Sequence, residues 1–197
     1  MPAPVSDPSS SAHDLLAALL RQVPFLTDDD ITAFVGLWRK YASLKRADFL
    51  IQAGQTEHHL YFVNEGALRI YYPSRAEEIC VGFAYTNTLV CSFPSFVAGL
   101  PSEYCIQALR KSELIGISRT DFTAIMEARP NFARFWRLEL ERAVMGRIER
   151  EIDLLLPEPE RRLERLLARS PHLFQLVPKK YIASYLRMTP ETLSRLR

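Results

Sequence analysis

The chain changes periodicity twice, and those two changes restrict its fold more than anything else in its 197 residues. Ahead of Leu44 the apolar positions recur at helical spacing. Between there and Ser118 they fall into short segments, 44–51, 59–64, 67–72, 79–85, 88–91, 104–109 and 113–118, rich in β-branched and aromatic residues and punctuated by Gly54, Asn64, Gly66, Pro73 and Ser74. From Arg119 the helical period returns, with Pro130 interrupting it before an unbroken run over 131–156. Strands of this length and spacing point to a small antiparallel barrel, roll or sandwich, flanked on both sides by helices. The expected class is therefore α+β.

At the front, residues 1–12 are too polar and too rich in Pro and Ser to fold, and are expected to form a disordered tail. Residues 13–23 read as an amphipathic helix. Residues 28–41 read as a second, opened by Asp28, Asp29 and Asp30, whose charges suit a helix N-terminus. The balance of 48% hydrophobic and 24% charged residues is that of a soluble globular chain. No stretch of about 18 apolar residues is available to span a bilayer, and MPAPVSDPSSSAHD has neither the basic start nor the apolar centre of a signal peptide, so the expected location is the cytoplasm and no membrane partner is expected. Cys80, Cys91 and Cys105 are odd in number, lie among apolar neighbours and never form C-x-x-C, which argues for core positions and against a disulfide framework or a metal site. The adjacent His58 and His59 would point to opposite faces of a strand and could not share an ion. No G-x-S-x-G, P-loop, H-E-x-x-H or dinucleotide fingerprint occurs, so no enzyme is expected.

Within 131–156, Leu138, Met145, Ile148, Ile152 and Leu155 are spaced by seven, three, four and three, which is a coiled-coil seam interrupted only at Glu141. Glu139, Arg142, Arg147, Glu149, Arg150 and Glu151 would flank it. Two readings stay open: a long helix packed on its own β domain, or a parallel dimer helix. Two heptads are too few for a free coiled coil, so such a dimer would lean on the domains at either end.

Charge is distributed unevenly. Residues 1–156 carry a net of −3, whereas residues 157–197 hold 9 Lys+Arg against 4 Asp+Glu, a net of +5. Solvated helix faces alone can give such an excess, so spacing has to decide. In KKYIASYLRMTPETLSRLR, Ile182, Ala183, Leu186, Met188, Leu193 and Leu196 stand at the offsets a helix-turn-helix needs, although an ordinary helical hairpin can match them too. Thr189 is placed to cap the second helix and Pro190 to begin it. Glu191 and Arg195 then share an outward face near the end that enters a major groove, with Pro190 and Ser194 as further base-reading candidates. Arg suits a guanine edge and Glu a cytosine amino group. Lys179, Lys180, Arg187, Thr192 and Arg197 are the candidates for phosphate contact.

From about Leu15 to Arg197 the chain resembles the Crp/Fnr family of bacterial transcription regulators. The likeness lies in GQTEHHLYFVNEGALRIYY with Gly54 and Gly66 at its turns, in SELIGISRTDFTAIM, in the long helix and in TPETLSR. It implies a cyclic-nucleotide-binding-type β-roll (a double-stranded β-helix) over 13–125, a dimerisation helix over 126–156 and a helix-turn-helix domain over 157–197. It also implies a homodimer, double-stranded DNA as partner with RNA polymerase beside it, and base reading by Glu191 and Arg195. The chain departs from the family in its phosphate cassette. There a Gly-Glu pair holds the ribose and an Arg-Ser or Arg-Thr pair the cyclic phosphate; in TLVCSFPSFVAGLPSEYCIQAL those places fall to Cys91 and Ser92 and to Ser102 and Glu103. Cyclic AMP is therefore disfavoured, no resident cofactor is expected, and an effector of another kind stays open. Phe93, Phe96, Leu100 and Tyr104 would line an apolar pocket or, as is favoured, fill the roll. The family's iron–sulfur cysteines near the N-terminus have no counterpart here. Arg187 stands where the turn usually has Gly, which costs about 1 kcal/mol if that residue is left-handed. The sequence stops two turns into the second helix, either as a minimal reader or as a shortened one. The rival expectation is a stand-alone ligand-binding or interaction module that ignores DNA.

Overall fold

The computed structural model describes residues 8–196. Helices α1 (Pro8–Leu20) and α2 (Asp28–Val35) lead into β1 (Lys40–Leu44), β2 (Phe49–Ile51), β3 (His59–Glu65), β4 (Ala67–Pro73), β5 (Glu78–Tyr85) and β6 (Leu89–Val90). Then come α3 (Phe93–Ala98), β7 (Cys105–Ala108), β8 (Ser112–Ser118), α4 (Arg119–Ala128) and α5 (Pro130–Leu155). Four short helices follow: α6 (Pro159–Arg169), α7 (Leu173–Leu176), α8 (Lys179–Tyr185) and α9 (Pro190–Arg195).

The strands form two antiparallel four-stranded sheets, β1-β8-β3-β6 and β2-β7-β4-β5. Alternation along β3 and β8 explains the arrangement. Tyr61, Val63 and Leu114, with Val90 of β6, face the second sheet, where they meet Ile51, Leu68, Ala84 and Ile106. Leu60, Phe62, Ile115 and Ile117 face the other way, onto Leu16, Leu20, Ile31, Phe34 and Trp38 of the N-terminal segment and onto Phe96, Phe122 and Phe132. One sheet thus serves two cores. Between β3 and β4, Gly66 has φ +117°, and a Cβ there would lie 2.2 Å from the Ser112 hydroxyl, so the turn admits only glycine.

Three sequence expectations shift. Of the expected tail, residues 1–7 lie outside the described residues, while α1 already runs from Pro8 and buries Ala12 completely. The helix expected over 28–41 stops at Val35, because Lys40–Leu44 pairs with Gly116–Ser112 of β8. The single segment 44–51 is two strands in different sheets, split by a turn in which Ala47 has φ 75° and the Lys45 N–H donates to Asp48 Oδ2 at 2.8 Å. At α2 the acidic start takes the form of a capping box: the Asp30 N–H donates to Thr27 Oγ1 and the Thr27 N–H to Asp30 Oδ2, both at 3.1 Å.

Helices α6 to α9 form a third cluster around Leu163, Leu166, Leu173, Val177, Ile182, Ala183, Leu186 and Leu193. Phe83, Tyr85 and Leu109 of the roll pack against it. The boundary expected at 125/126 falls inside α4. Among the described residues no helix is long and apolar enough to cross a membrane.

Candidate functional site

In the C-terminal unit, Ile182, Ala183, Leu186 and Leu193 are buried where α8 and α9 meet, and Met188 and Leu196 are half-buried at its edge. The chain reverses between the helices through Arg187, whose φ is 55°, and the Met188 N–H closes the turn on the Ala183 carbonyl at 3.0 Å. Thr189 caps α9 by accepting the Thr192 N–H at 3.2 Å, and Pro190 occupies the first turn. Pro190, Glu191, Ser194 and Arg195 are exposed, and Thr192 is half-buried beside Thr189. Hydrogen bonding from its own backbone N–H and from Thr189, with Arg195 nearby, lowers the Glu191 pKa and keeps the carboxyl ionised. Lys179 and Lys180 stand exposed at the start of α8, with Lys180 Nζ 4.8 Å from the centre of the Tyr181 ring. Arg187 is engaged by the roll: it pairs with Glu77 of the β4–β5 hairpin at 3.1 Å. Arg197 lies outside the described residues.

Along α5 an apolar stripe is left uncovered. Met145 is 64% exposed, Ile148 48%, Ile152 42% and Leu155 77%, whereas Leu138 is half-buried. Val144, 57% exposed, widens the stripe; the heptad spacing passes over it because it adjoins Met145 rather than continuing the seam. Asp153 on the same helix is buried and is gripped by Arg165 and Arg169 of α6.

The segment from Ser92 to Tyr104, whose residues disfavour a cyclic nucleotide, closes on itself. Ser92 and Ser102, both buried, hydrogen-bond to one another at 2.6 Å, and Ser102 also bonds the carbonyl and N–H of Tyr104. Ser95 Oγ accepts the Glu57 N–H at 2.9 Å and donates to the Leu100 carbonyl at 2.5 Å. Beneath them lies the Glu57 carboxyl, accepting from the N–H groups of His58, His59 and Ser92. Burial raises its pKa against those bonds. Sequence reasoning missed Glu57 and Ser95, since nothing local marks them; only the fold brings residues 57 and 92–102 together. Phe96 is buried beside Phe122 in the core between the first sheet and the flanking helices, and Leu100 is exposed. Phe93 and Glu103 are exposed, and Tyr104 packs edge-on to Tyr72.

Cys80 and Cys105 are buried, Cys91 is half-buried, and all three are free thiols. Desolvation pushes Cys80 up to about 12 and Cys91 higher still, so neither is a thiolate at neutral pH. Among the described residues no three His, Cys, Asp or Glu side chains gather as a metal site.

Residues 41–129 match the family model described as the cyclic nucleotide-binding domain. Solved structures sharing the fold include FixK2 from Bradyrhizobium japonicum, at 14% identity over 80% of this chain and 81% of the other, with a TM-score of 0.71. A CooA mutant from Carboxydothermus hydrogenoformans is similar at 16% identity over 80% and 73%, TM-score 0.65. CLP from Xanthomonas campestris, a c-di-GMP responsive global regulator, is similar at 14% identity over 86% and 89%, TM-score 0.64. No curated protein matches the chain. At these identities the likeness establishes the architecture, a cyclic-nucleotide-binding roll followed by a long helix and further helices as in Crp/Fnr regulators.

Proposed function

We propose that the protein is a dimeric, DNA-binding transcription regulator of Crp/Fnr type whose roll does not hold cyclic AMP in the manner of the family. The observation that carries the reading is the face of α9: Pro190, Glu191, Ser194 and Arg195 stand exposed on a short helix fixed by a Thr cap and a tight α8–α9 crossing. Glu191 and Arg195 stand exposed, and a duplex base edge is a partner that their acceptors and donors fit. Lys179, Lys180 and Thr192 support the backbone contacts, and Arg187 joins them on release from Glu77. The uncovered stripe of α5 supports self-association, with Leu138 at its sheltered end. An RNA polymerase contact would follow from this reading, and no surface is assigned to it.

Against cyclic nucleotides stands the sealed serine pair. A cyclic phosphate would have to part Ser92 from Ser102, would meet Ser102 where the family offers a guanidinium, and would lie near the Glu57 carboxyl that accepts the Ser92 N–H.

Selection of bound duplexes from a random pool tests the DNA reading. Arg195→Ala should cost about 1 to 3 kcal/mol on the selected site and relax preference at one base pair. Lys180→Ala should weaken all duplexes alike and lower the salt slope by about one. A protein that retains no duplex at low salt is instead an interaction module, and the proposal fails.

A further inference from the structure

β5 is the outer strand of its sheet, yet its open edge is covered from two helices. The Cys80 N–H donates to Ser184 Oγ on α8 at 3.1 Å, and that hydroxyl donates to the Glu78 carbonyl at 3.2 Å. From α5, Arg150 donates to the Cys80 carbonyl and Arg147 to the Val81 carbonyl, each at 3.2 Å. Val81 is the extra residue of a bulge, for Ile70 faces Gly82 while Tyr71 faces Cys80. The long helix and the first helix of the candidate reader thus meet on one irregular strand of the roll.

Beside this edge Arg69 of β4 is only 5% exposed. Its guanidinium lies between two rings, Tyr71 at 4.1 Å and Tyr181 of α8 at 4.3 Å. Gln107 Oε1, at 3.0 and 2.6 Å, and Glu78, at 2.5 Å, hold it in plane. The other tyrosine of α8, Tyr185, sits under Arg150 at 4.6 Å. An apolar side chain of equal volume would fill the same space without a buried charge. What the arginine adds is direction, since a planar cation fixed at its edges admits a stacked ring in one orientation. Ala183 lets α8 and α9 cross closely, so the direction of α8 is passed on to α9.

We infer that Arg69 is a positioning residue for the reader: by seating Tyr181 it sets the direction in which α9 leaves the roll, and with it the half-site spacing that a dimer accepts. This rests on the DNA reading proposed above. The test uses the full chain and duplexes that carry one selected half-site alone, or two at varied separations. The unmodified protein should show a sharp optimum with half-site centres about 34 to 36 Å apart. Arg69→Met, with Tyr181→Leu approaching the contact from the other side, should lose about tenfold at that optimum and flatten the profile, because fewer molecules hold both readers in register. Single half-site affinity and the salt slope should stay unchanged, since no phosphate contact is removed. Tyr181→Phe, which keeps the ring, should keep the profile. An unaltered spacing profile in Arg69→Met overturns the inference, as does an equal loss on every duplex, which a merely structural role would give. If the unmodified protein binds no duplex, the DNA reading itself has failed and the inference falls with it; the unmodified control separates the two failures.

Discussion

Asp30 shows how one carboxyl ties distant segments together. Its oxygens accept from Thr27 at the N-cap of α2 and from Arg129 and Asn131 at the start of α5. Asn131 above all, then Thr27 and Arg129, outweigh burial and bring its pKa from 3.8 to about 2. A folded pKa below the unfolded one contributes stability that is complete above about pH 4 and is lost as the pH falls toward 2. Asp30→Asn should therefore lower Tm at pH 7, and the gap to the unmodified protein should narrow as the pH drops from 4 to 2. A gap of constant width would mean that the ionised carboxyl is not the stabilising species. Arg187 illustrates an opposed balance on the same scale: its φ of 55° disfavours any side chain, while its pairing with Glu77 recovers part of that cost at an exposed site worth at most about 1 kcal/mol.

At the level of elements, α5 has to satisfy two neighbours at once. Asp153 faces α6, and the stripe of Val144, Met145, Ile148, Ile152 and Leu155 faces outward. Burying such a stripe against its symmetry mate is the ordinary way a helix of this length finds a partner. Ile148→Asp with Ile152→Asp should give monomers in sedimentation at micromolar concentration with the roll intact by circular dichroism; an unmodified protein that sediments as a monomer would overturn the dimer reading. The loop around α3 carries its own expectation. Calorimetry with millimolar cyclic AMP or cyclic GMP should show no saturable heat, and micromolar binding would mean that the Ser92–Ser102 contact opens at little cost. Much of this level was legible in the sequence, because it rests on local rules. The acidic run Asp28, Asp29 and Asp30, Thr189 and Pro190 announce helix starts, Gly54 and Gly66 announce turns of positive φ, and the spacing of Ile182, Ala183, Leu186 and Leu193 announces the crossing of α8 and α9. What stayed hidden depends on pairing across the chain. Ala47 gives no turn signal of its own, and only the separate partners of β1 and β2 show that 44–51 divides; Glu57 and Arg69 read as surface charges until the fold surrounds them.

Over the whole molecule, the question is whether the roll and the C-terminal unit behave as one body. Phe83, Tyr85 and Leu109 of the roll complete the apolar cluster of α6 to α9, so separating the two would wet side chains on both sides. The Asp153 clamp adds a second tie at the α5–α6 corner: Asp153 is 1% exposed and is reached by Arg165 and Arg169, whose side chains are 35% and 31% exposed. Substituting Asp153 leaves two arginines that can turn to water, so the loss should fall at or below the lower end of the roughly 3 to 5 kcal/mol seen when one partner of a buried ion pair is removed. A loss of that size at the corner weakens the tie more than it weakens either part. Scanning calorimetry of the unmodified protein should accordingly give one transition, with calorimetric and van't Hoff enthalpies in agreement, and Asp153→Asn should split it, the C-terminal unit melting first. Two transitions in the unmodified protein would show that the shared cluster does not couple the parts, and the seating of α8 on β5 would then be too weak to direct α9.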